Sequence, residues 1–435
     1  MNREVSEMKY NTQNAKIKSI TEETLIVGID VGSETHFARA FDWRNYEYSK
    51  KPLEFSNTEA GFMTFKAWME DIAEKHGKDV VIPGMEPTGH YWFNLGAFLQ
   101  DNGMKPVHVN PHHVKKSKEL DDNNPNKNDR KDPKTIAALV NEGRFSYPYI
   151  PTGIYAEIRN LSNLRLQTQE EITRIKNRIA RWFRIYFPEI KDVYKNPDSV
   201  SGLMVLKVAP LPQDIVKLGV DGINKIWRDA KLRAAGPKRA KTLLTAAEHS
   251  IGSQEAPESA RIELKNLLND YEIYRKREED LMGMIEQKLL EIPYIDKLLE
   301  IKGIGMKTVS GFVAEVGDIT RFDDPKQLQK LAGYAIVECS SGKHKGESHI
   351  SYRGRKRLRY VLYEAAISLI ARNEEFKEVH RYYRTRKENP LKKMQSVIAV
   401  ACKALRIFYM ILTKGVSYDG AKMLQDIKRP QMLAA

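Results

Sequence analysis

Four acids stand where a cation could be held. Asp30 ends the apolar run Thr24 to Val31 (TLIVGIDV), where a carboxylate is costly unless a cation or a hydrogen bond meets it. Glu86 ends a second run, Val80 to Met85, and is followed by the turn sequence Pro87-Thr88-Gly89. Asp129 and Asp132 stand three apart at the start of a helical pattern. If the helix already includes Asp129, that spacing puts both carboxylates on one face. Singly, each acid also reads as a helix cap or a turn former. As a set, carboxylates converging from two strand ends and a helix suit a hard cation such as Mg²⁺, bound as one ion or two. Such a site can activate a nucleophile and stabilise a leaving oxygen in phosphoryl transfer.

A second centre lies far along the chain, in Gly333 to Arg359 (GYAIVECSSGKHKGESHISYRGRKRLR). Ser340 and Ser341 precede Gly342, and Lys343, His344 and Lys345 follow. Next come Arg353, Arg355, Lys356, Arg357 and Arg359. A serine hydroxyl beside cations could attack a phosphodiester, the cations stabilising the developing charge. The same residues also read as an ordinary Ser-Ser-Gly loop whose cations only bind phosphate. Upstream, Lys302 and Lys307 flank Gly303 and Gly305. This Gly-x-Gly turn resembles the helix-hairpin-helix elements that set backbone N–H groups against a nucleic-acid phosphate.

Stepping out from the acids, the elements that must carry them form an α/β pattern. Thr24 to Val31 suits a central strand. His36 to Trp43 and Tyr46 to Phe55 suit two more strands, and Thr58 to His76 has helical spacing with Thr58 as N-cap. Strand Val80 to Met85, helix His90 to Asp101, strand Pro106 to Val109 and helix Asp132 to Glu142 complete a mixed domain over 24–150. Residues 1–23 read as a loose extension.

From Ala156 to Tyr186 the pattern is one long amphipathic helix with arginines on one face, Arg174, Arg178 and Arg181 among them. Ser259 to Leu290 is a second. Together they suggest an antiparallel hairpin or a dimerising coiled coil in a middle region, 151–294. The stretch 189–258 between them carries no recognisable motif. A basic, mainly helical domain over 295–435 completes the chain.

Charge points to the partner. The 435 residues carry a formal net charge of +14. Residues 339–435 hold 21 Lys+Arg against 8 Asp+Glu, net +13, and the remaining 338 hold 50 against 49. A polyanion is therefore expected at the C-terminal quarter. Two cysteines, Cys339 and Cys402, make no disulfide framework, which suits an intracellular protein. The start of the chain lacks an apolar signal core. The run Ser396 to Leu412 is interrupted by Lys403 and Arg406, so it reads as a buried helix and not a membrane span. No CxxC pair or HExxH motif supports zinc.

Three N-terminal segments, IVGIDVGSETHFARAFD, GMEPTGHYW and KNDRKDPKTIAAL, resemble the transposases of the insertion-sequence one-ten family. These are DEDD recombinases related to DNA invertases of the Piv type. So do LLEIKGIGMKTVSGFVAEVGDITRF, LQKLAGYAIVECSSG and HISYRGRKRLRYVLYEAA. The likeness runs from about residue 24 to 415. It departs at Ile336, where the family has proline, and at Tyr352, where it often has lysine.

The resemblance implies an RNase-H-like, RuvC-like domain whose Mg²⁺ site is Asp30, Glu86, Asp129 and Asp132. It implies Ser341, directly before Gly342, as the nucleophile, with Ser340 the alternative. It further implies excision and integration of an insertion sequence, and a structured noncoding RNA that guides donor and target DNA. A homodimer or homotetramer in which one subunit's metal site meets another's serine domain is implied too. The expected setting is the cytoplasm of a bacterium or archaeon, at the nucleoid. A Holliday-junction-type nuclease, or an invertase without an RNA guide, is the competing reading of the same residues.

Overall fold

A computed structural model of the chain describes residues 13–87, 89–121, 132–196, 198–233, 235–337, 340–341, 344–345 and 349–432. The chain divides into two compact units, Met1–Ile150 and Pro151–Ala435.

In the first unit the order is α1 (Gln13–Lys18), β1 (Thr24–Val31), β2 (Thr35–Phe41), β3 (Leu53–Ser56), α2 (Glu59–Lys75), β4 (Val80–Met85), α3 (Trp92–Asp101), β5 (Val107–Val109), α4 (Pro111–Asp121), α5 (Asp132–Asn141) and β6 (Phe145–Ser146). The strands form one six-stranded sheet in the order β3-β2-β1-β4-β5-β6. β1 runs antiparallel to β2 and parallel to β4. A strand flanked on both sides and covered on both faces must be apolar throughout, and Asp30 is the one residue of β1 that is not fully buried. Leu25, Val27 and Ile29 face a core shared with Phe65 and Met69 of α2 and Leu95 of α3. Ile26 belongs instead to the core on the other face, with Ile136 and Val140 of α5. The Thr58 hydroxyl accepts a hydrogen bond from the Gly61 N–H at 3.2 Å and so caps α2.

Two expectations change here. Within the N-terminal extension, residues 13–18 are helical. The Gln13 side-chain amide donates to the Glu142 carbonyl at 2.8 Å and the Lys16 ammonium donates to the Phe145 carbonyl. These ties are polar, so no apolar period announces them. The strand expected over Tyr46 to Phe55 is interrupted: an isolated bridge joins Phe41 to Glu47, and pairing resumes only at Leu53. Pro52, which has no N–H to give the ladder, stands in the gap.

The second unit continues with α6 (Gly153–Tyr186), α7 (Ile190–Val193), α8 (Val200–Val208), α9 (Pro212–Asp229), α10 (Pro237–Glu248), α11 (Pro257–Leu290), α12 (Ile295–Leu299) and α13 (Met306–Val316). A 3₁₀ turn (Ile319–Arg321), α14 (Pro325–Leu331) and four two-residue strands follow. The strands are β7 (Ile336–Val337), β8 (Ser340–Ser341), β9 (His344–Lys345) and β10 (His349–Ile350). The unit ends with α15 (Lys356–Arg372), α16 (Glu374–Thr385), α17 (Lys393–Lys414) and α18 (Gly420–Met432).

α6 and α11 pair with each other along their length, and the pairing is antiparallel. The Trp182 indole N–H donates to the Ala260 carbonyl at 3.0 Å, and the Gln169 amide reaches Glu278 at 2.9 Å. One end of this hairpin shares a core with α8, α9 and α10, through residues such as Ile179, Trp182, Trp227 and Leu264. The other end shares a core with the C-terminal helices, through Ile158, Ile285, Leu289, Phe312 and Phe408. The boundary drawn from the sequence at 294/295 thus falls inside one unit. α17 has the length and apolarity to cross a membrane, but Val397, Val400, Leu405 and Phe408 are packed into this core.

Candidate active site

Strand parity sets the direction of the first two acids. Gly28 of β1 lies under α5 so closely that a Cβ there would sit 1.8 Å from the Pro133 carbonyl oxygen. Gly84, its register partner on β4, faces Val140 of the same helix, 2.5 Å from where a Cβ would be. The two glycines make a shallow bed in which α5 rests. Side chains alternate along a strand, so Asp30 and Glu86, each two residues on, leave the sheet on the α5 face. They do so side by side, because Ile29 pairs with Met85 in the parallel ladder. Asp132 opens α5 on that face and is 9% exposed.

The electrostatics around these acids are strong. Burial lifts the Glu86 carboxyl above the ordinary carboxylate range; the Lys118 ammonium opposes that shift and the Asp132 charge adds to it. Lys118, from α4, donates a hydrogen bond to Asp132 and forms an ion pair with it. A cation therefore already sits among the carboxylates. Among the described residues, no three Asp, Glu, His or Cys side chains stand close enough together to hold a metal. Asp129 lies outside the described residues. The donor chemistry that is present, hard oxygens at the end of a sheet with an ammonium drawn to them, fits a divalent cation.

The serine segment is built differently. Ser340 and Ser341 form β8 and pair with Lys345 and His344 of β9. Ile336 and Val337 pair with Ile350 and His349, and Ile336 is 73% exposed. Lys343 lies outside the described residues. The nearby cations divide into two groups. Arg353 and Lys356 are exposed. The Arg355 guanidinium donates to the Glu315 carbonyl at 2.7 Å, and Arg357 lies 3.3 Å from the Glu315 carboxylate. Arg359 donates to the carbonyls of Ala332 and Tyr352 at 3.1 and 3.2 Å. Upstream, Lys302 is exposed, and Lys307 stands 3.5 Å from Glu278. The Gly303 carbonyl accepts from the Ser368 hydroxyl at 2.6 Å, which ties the Gly-x-Gly turn to α15.

On α6, Arg174, Arg178 and Arg181 are exposed. Two arginines read as part of the same basic face turn inward. Arg159 donates to the Ala314 carbonyl at 2.9 Å. Arg165, 7% exposed, stands 3.7 Å from Glu278.

Lys118, which meets Asp132, is the residue at these acids that sequence reasoning missed, since α4 is a polar helix with little apolar period. A signal for the acid pair was present: Gly28-Ile29-Asp30 and Gly84-Met85-Glu86 share the pattern Gly-x-acid. A glycine inside a strand marks a close approach, here that of the helix bearing Asp132.

A sheet in this order, with a helix laid over two neighbouring acid-ended strands, is an RNase H-like arrangement. Comparison with known families narrows it. The DEDD transposase profile of the IS110 type matches residues 27–188, and that of the transposase IS116/IS110/IS902 family matches residues 295–381. The "Insertion element IS116 uncharacterized 44.8 kDa protein" of Streptomyces clavuligerus is 22% identical over 396 residues, covering 91% of this chain and 96% of that protein. The pilin gene-inverting protein of Moraxella bovis is 30% identical over 124 residues, 28% of this chain and 38% of its own. This chain belongs to the IS110 family of transposases, enzymes that cleave and rejoin DNA.

Proposed function

We propose that the protein excises and integrates an insertion sequence by Mg²⁺-dependent strand cleavage and rejoining. In this reading Asp30, Glu86, Asp129 and Asp132 form a RuvC-like metal-holding set, and Ser341 is the nucleophile. The supporting observation is that Asp30 and Glu86 each follow directly on the paired Ile29 and Met85 of adjacent parallel strands, with Asp132 opening the helix above and Lys118 drawn to it. Bound Mg²⁺ would supply charge stabilisation for the phosphoryl oxygens.

The chain's own groups do the rest. The carboxylates orient the cation and exclude other anions. The Ser341 oxygen attacks phosphorus and gives up its proton, the bond from phosphorus to one sugar oxygen breaks and that oxygen leaves protonated as a strand-end hydroxyl, and the incoming strand's hydroxyl later attacks the same phosphorus and releases the serine hydroxyl. Lys302, Lys307, Lys343, Lys345, Arg353, Arg355, Lys356, Arg357 and Arg359 face phosphate along the nucleic acid, as do Arg174, Arg178 and Arg181 of α6. A structured noncoding RNA selects donor and target DNA. The working assembly is a homodimer or homotetramer.

Trapping on a nicked DNA substrate tests this. The wild type should give a covalent protein–DNA adduct, and Ser341→Ala should give none. An adduct that persists in Ser341→Ala and disappears in Ser340→Ala moves the role to Ser340. Mg²⁺-dependent cleavage with free ends and no adduct in the wild type would instead identify a Holliday-junction-type nuclease. Asp132→Asn should lower strand cleavage roughly 10³-fold, the scale of losing several kcal/mol of charge stabilisation. Sequencing RNA that co-purifies with the protein tests the guide. Its absence from an active preparation would favour inversion without RNA, the reading that the likeness to pilin gene-inverting proteins supports.

A further inference from the structure

The stretch between the two long helices lies outside both matched family segments, 27–188 and 295–381. Part of it is strongly basic. Over residues 228–241, six cations (Arg228, Lys231, Arg233, Lys238, Arg239 and Lys241) face one acid, Asp229. All six are exposed. Among the described residues, no ion pair joins Arg228, Lys231, Arg233, Lys238 or Lys241 to a carboxylate. The contrast with Arg355, Arg357 and Arg359 is direct, since those guanidiniums are engaged by Glu315 and by main-chain carbonyls.

Topology makes these cations one surface. Arg228 lies in the last turn of α9, Lys231 and Arg233 lie in the link, and Lys238 lies in the first turn of α10. The two helices pack on each other through Ile223, Trp227, Leu243 and Ala247, so the end of one and the start of the next meet at a single end of the pair. Trp227 is 1% exposed and its indole N–H donates to the Ser201 carbonyl at 2.9 Å. The Arg239 guanidinium lies 5.8 Å over the ring of the buried Tyr194.

Helix polarity adds to the charge. The first turn of α10 has Gly236 as its cap and receives no side-chain cap, so its N–H groups add positive potential beside Lys238. A cleft of about 420 Å³ opens there, lined by Gly236, Pro237, Lys238, Arg239 and Thr242, with Asp192 and Val193 on its far wall.

We infer that this end of the α9–α10 pair binds the phosphate backbone of duplex DNA, through residues other than those proposed for strand cleavage. Polyanion chemistry follows from six exposed cations against Asp229 within the stretch and Asp192 on the cleft wall. A duplex is favoured over a single strand because Trp227 is the one aromatic residue in 225–241 and it is buried, leaving no ring on which an unpaired base could stack. DNA is favoured because it is the substrate on which the family acts. The inference does not depend on the acids or on the serine.

The test is equilibrium binding of the full chain to a fluorescent duplex of about 30 base pairs and arbitrary sequence, in EDTA, across roughly 50 to 200 mM salt. Without a divalent metal there is no cleavage, so the outcome is separate from that of the proposed reaction. The triple variant Lys231→Gln, Arg233→Gln, Lys238→Gln should make the slope of log K against log salt shallower by about 3, near 0.9 per lost phosphate contact. Arg233→Gln alone should shift it by about 1. A control neutralising Lys276, Lys288 and Lys377, each already paired with a carboxylate, should leave the slope unchanged. An unchanged slope in a triple variant that melts like the wild type would overturn the inference, as would an equal loss in the control. Loss of binding to a structured RNA hairpin with the DNA slope intact would overturn the choice of DNA.

Discussion

The carboxylate end of the sheet and the serine segment are built on opposite terms. Asp30 and Glu86 project from the central strands of a six-stranded sheet buried on both faces, and Asp132 from a helix seated on two glycines. Ser341 lies on a two-residue strand paired with another two-residue strand, and the neighbouring β7 is exposed. The first site is fixed by the folding of its unit. Around the second, Arg355, Arg357 and Arg359 are anchored to Glu315 and to main-chain carbonyls. A partly buried carboxylate set needs such a frame, because burial already raises Glu86 and only well-placed partners offset it.

Changes to the frames should therefore be costly in both units, for different reasons. The largest effect is expected in the second unit. Glu278, 8% exposed, stands near Arg165, Arg275 and Lys307 and accepts from Gln169. Glu278→Leu leaves the buried Arg165 without its carboxylate and should destabilise the unit by about 3–5 kcal/mol in denaturant unfolding. A loss below about 1 kcal/mol would mean the hub does not frame the serine half.

Gly28→Val comes next. It forces a side chain into the Pro133 carbonyl and should cost about 3 kcal/mol while displacing Asp132, so cleavage should fall with stability. Full cleavage in a destabilised Gly28→Val protein would break the link between the glycine bed and the acids.

The smallest effect is a pH dependence in the first unit. His108 of β5 stacks edge-on against Trp92 at 4.2 Å, and burial pushes its pKa down to about 4. The neutral ring is therefore favoured in the folded state. Its contribution is fully present above the unfolded value near 6.5 and is lost as pH falls from there toward 4. After allowance for solvent, about 1–2 kcal/mol should disappear over that window. Melting curves of His108→Phe should be flatter across the same range; an identical slope would assign the acid sensitivity elsewhere.

Much of the first unit was legible because its signals are apolar. β1 and β4 begin and end where their hydrophobic runs do, and α2 starts at the residue after Thr58. What escaped is polar. α1 is tied to Glu142 and Phe145 by side-chain bonds, and α4 buries Val114 but otherwise reads as a charged stretch. Lys118 escaped with it. Asp30, Glu86 and Asp132 could be read from strand ends and a helix start, yet their common direction rests on the glycine pair, which only the packing of α5 explains.

Charge counting weighs residues without regard to their partners. It gave Arg355, Arg357 and Arg359 the same weight as Arg353, although carboxylate and carbonyl partners engage those three. It passed over 228–241, because nearby acids such as Asp214 and Glu248 balance the region in sum.

The central claim is that the carboxylate end of the sheet binds a divalent cation. Mn²⁺ binding followed by electron paramagnetic resonance on the full chain, without DNA, tests it most directly. The wild type should bind Mn²⁺, Lys118→Met should bind at least as tightly, and the double variant Asp30→Asn, Glu86→Gln should lose binding while keeping its fold. Equal Mn²⁺ binding by the double variant and the wild type would contradict the account.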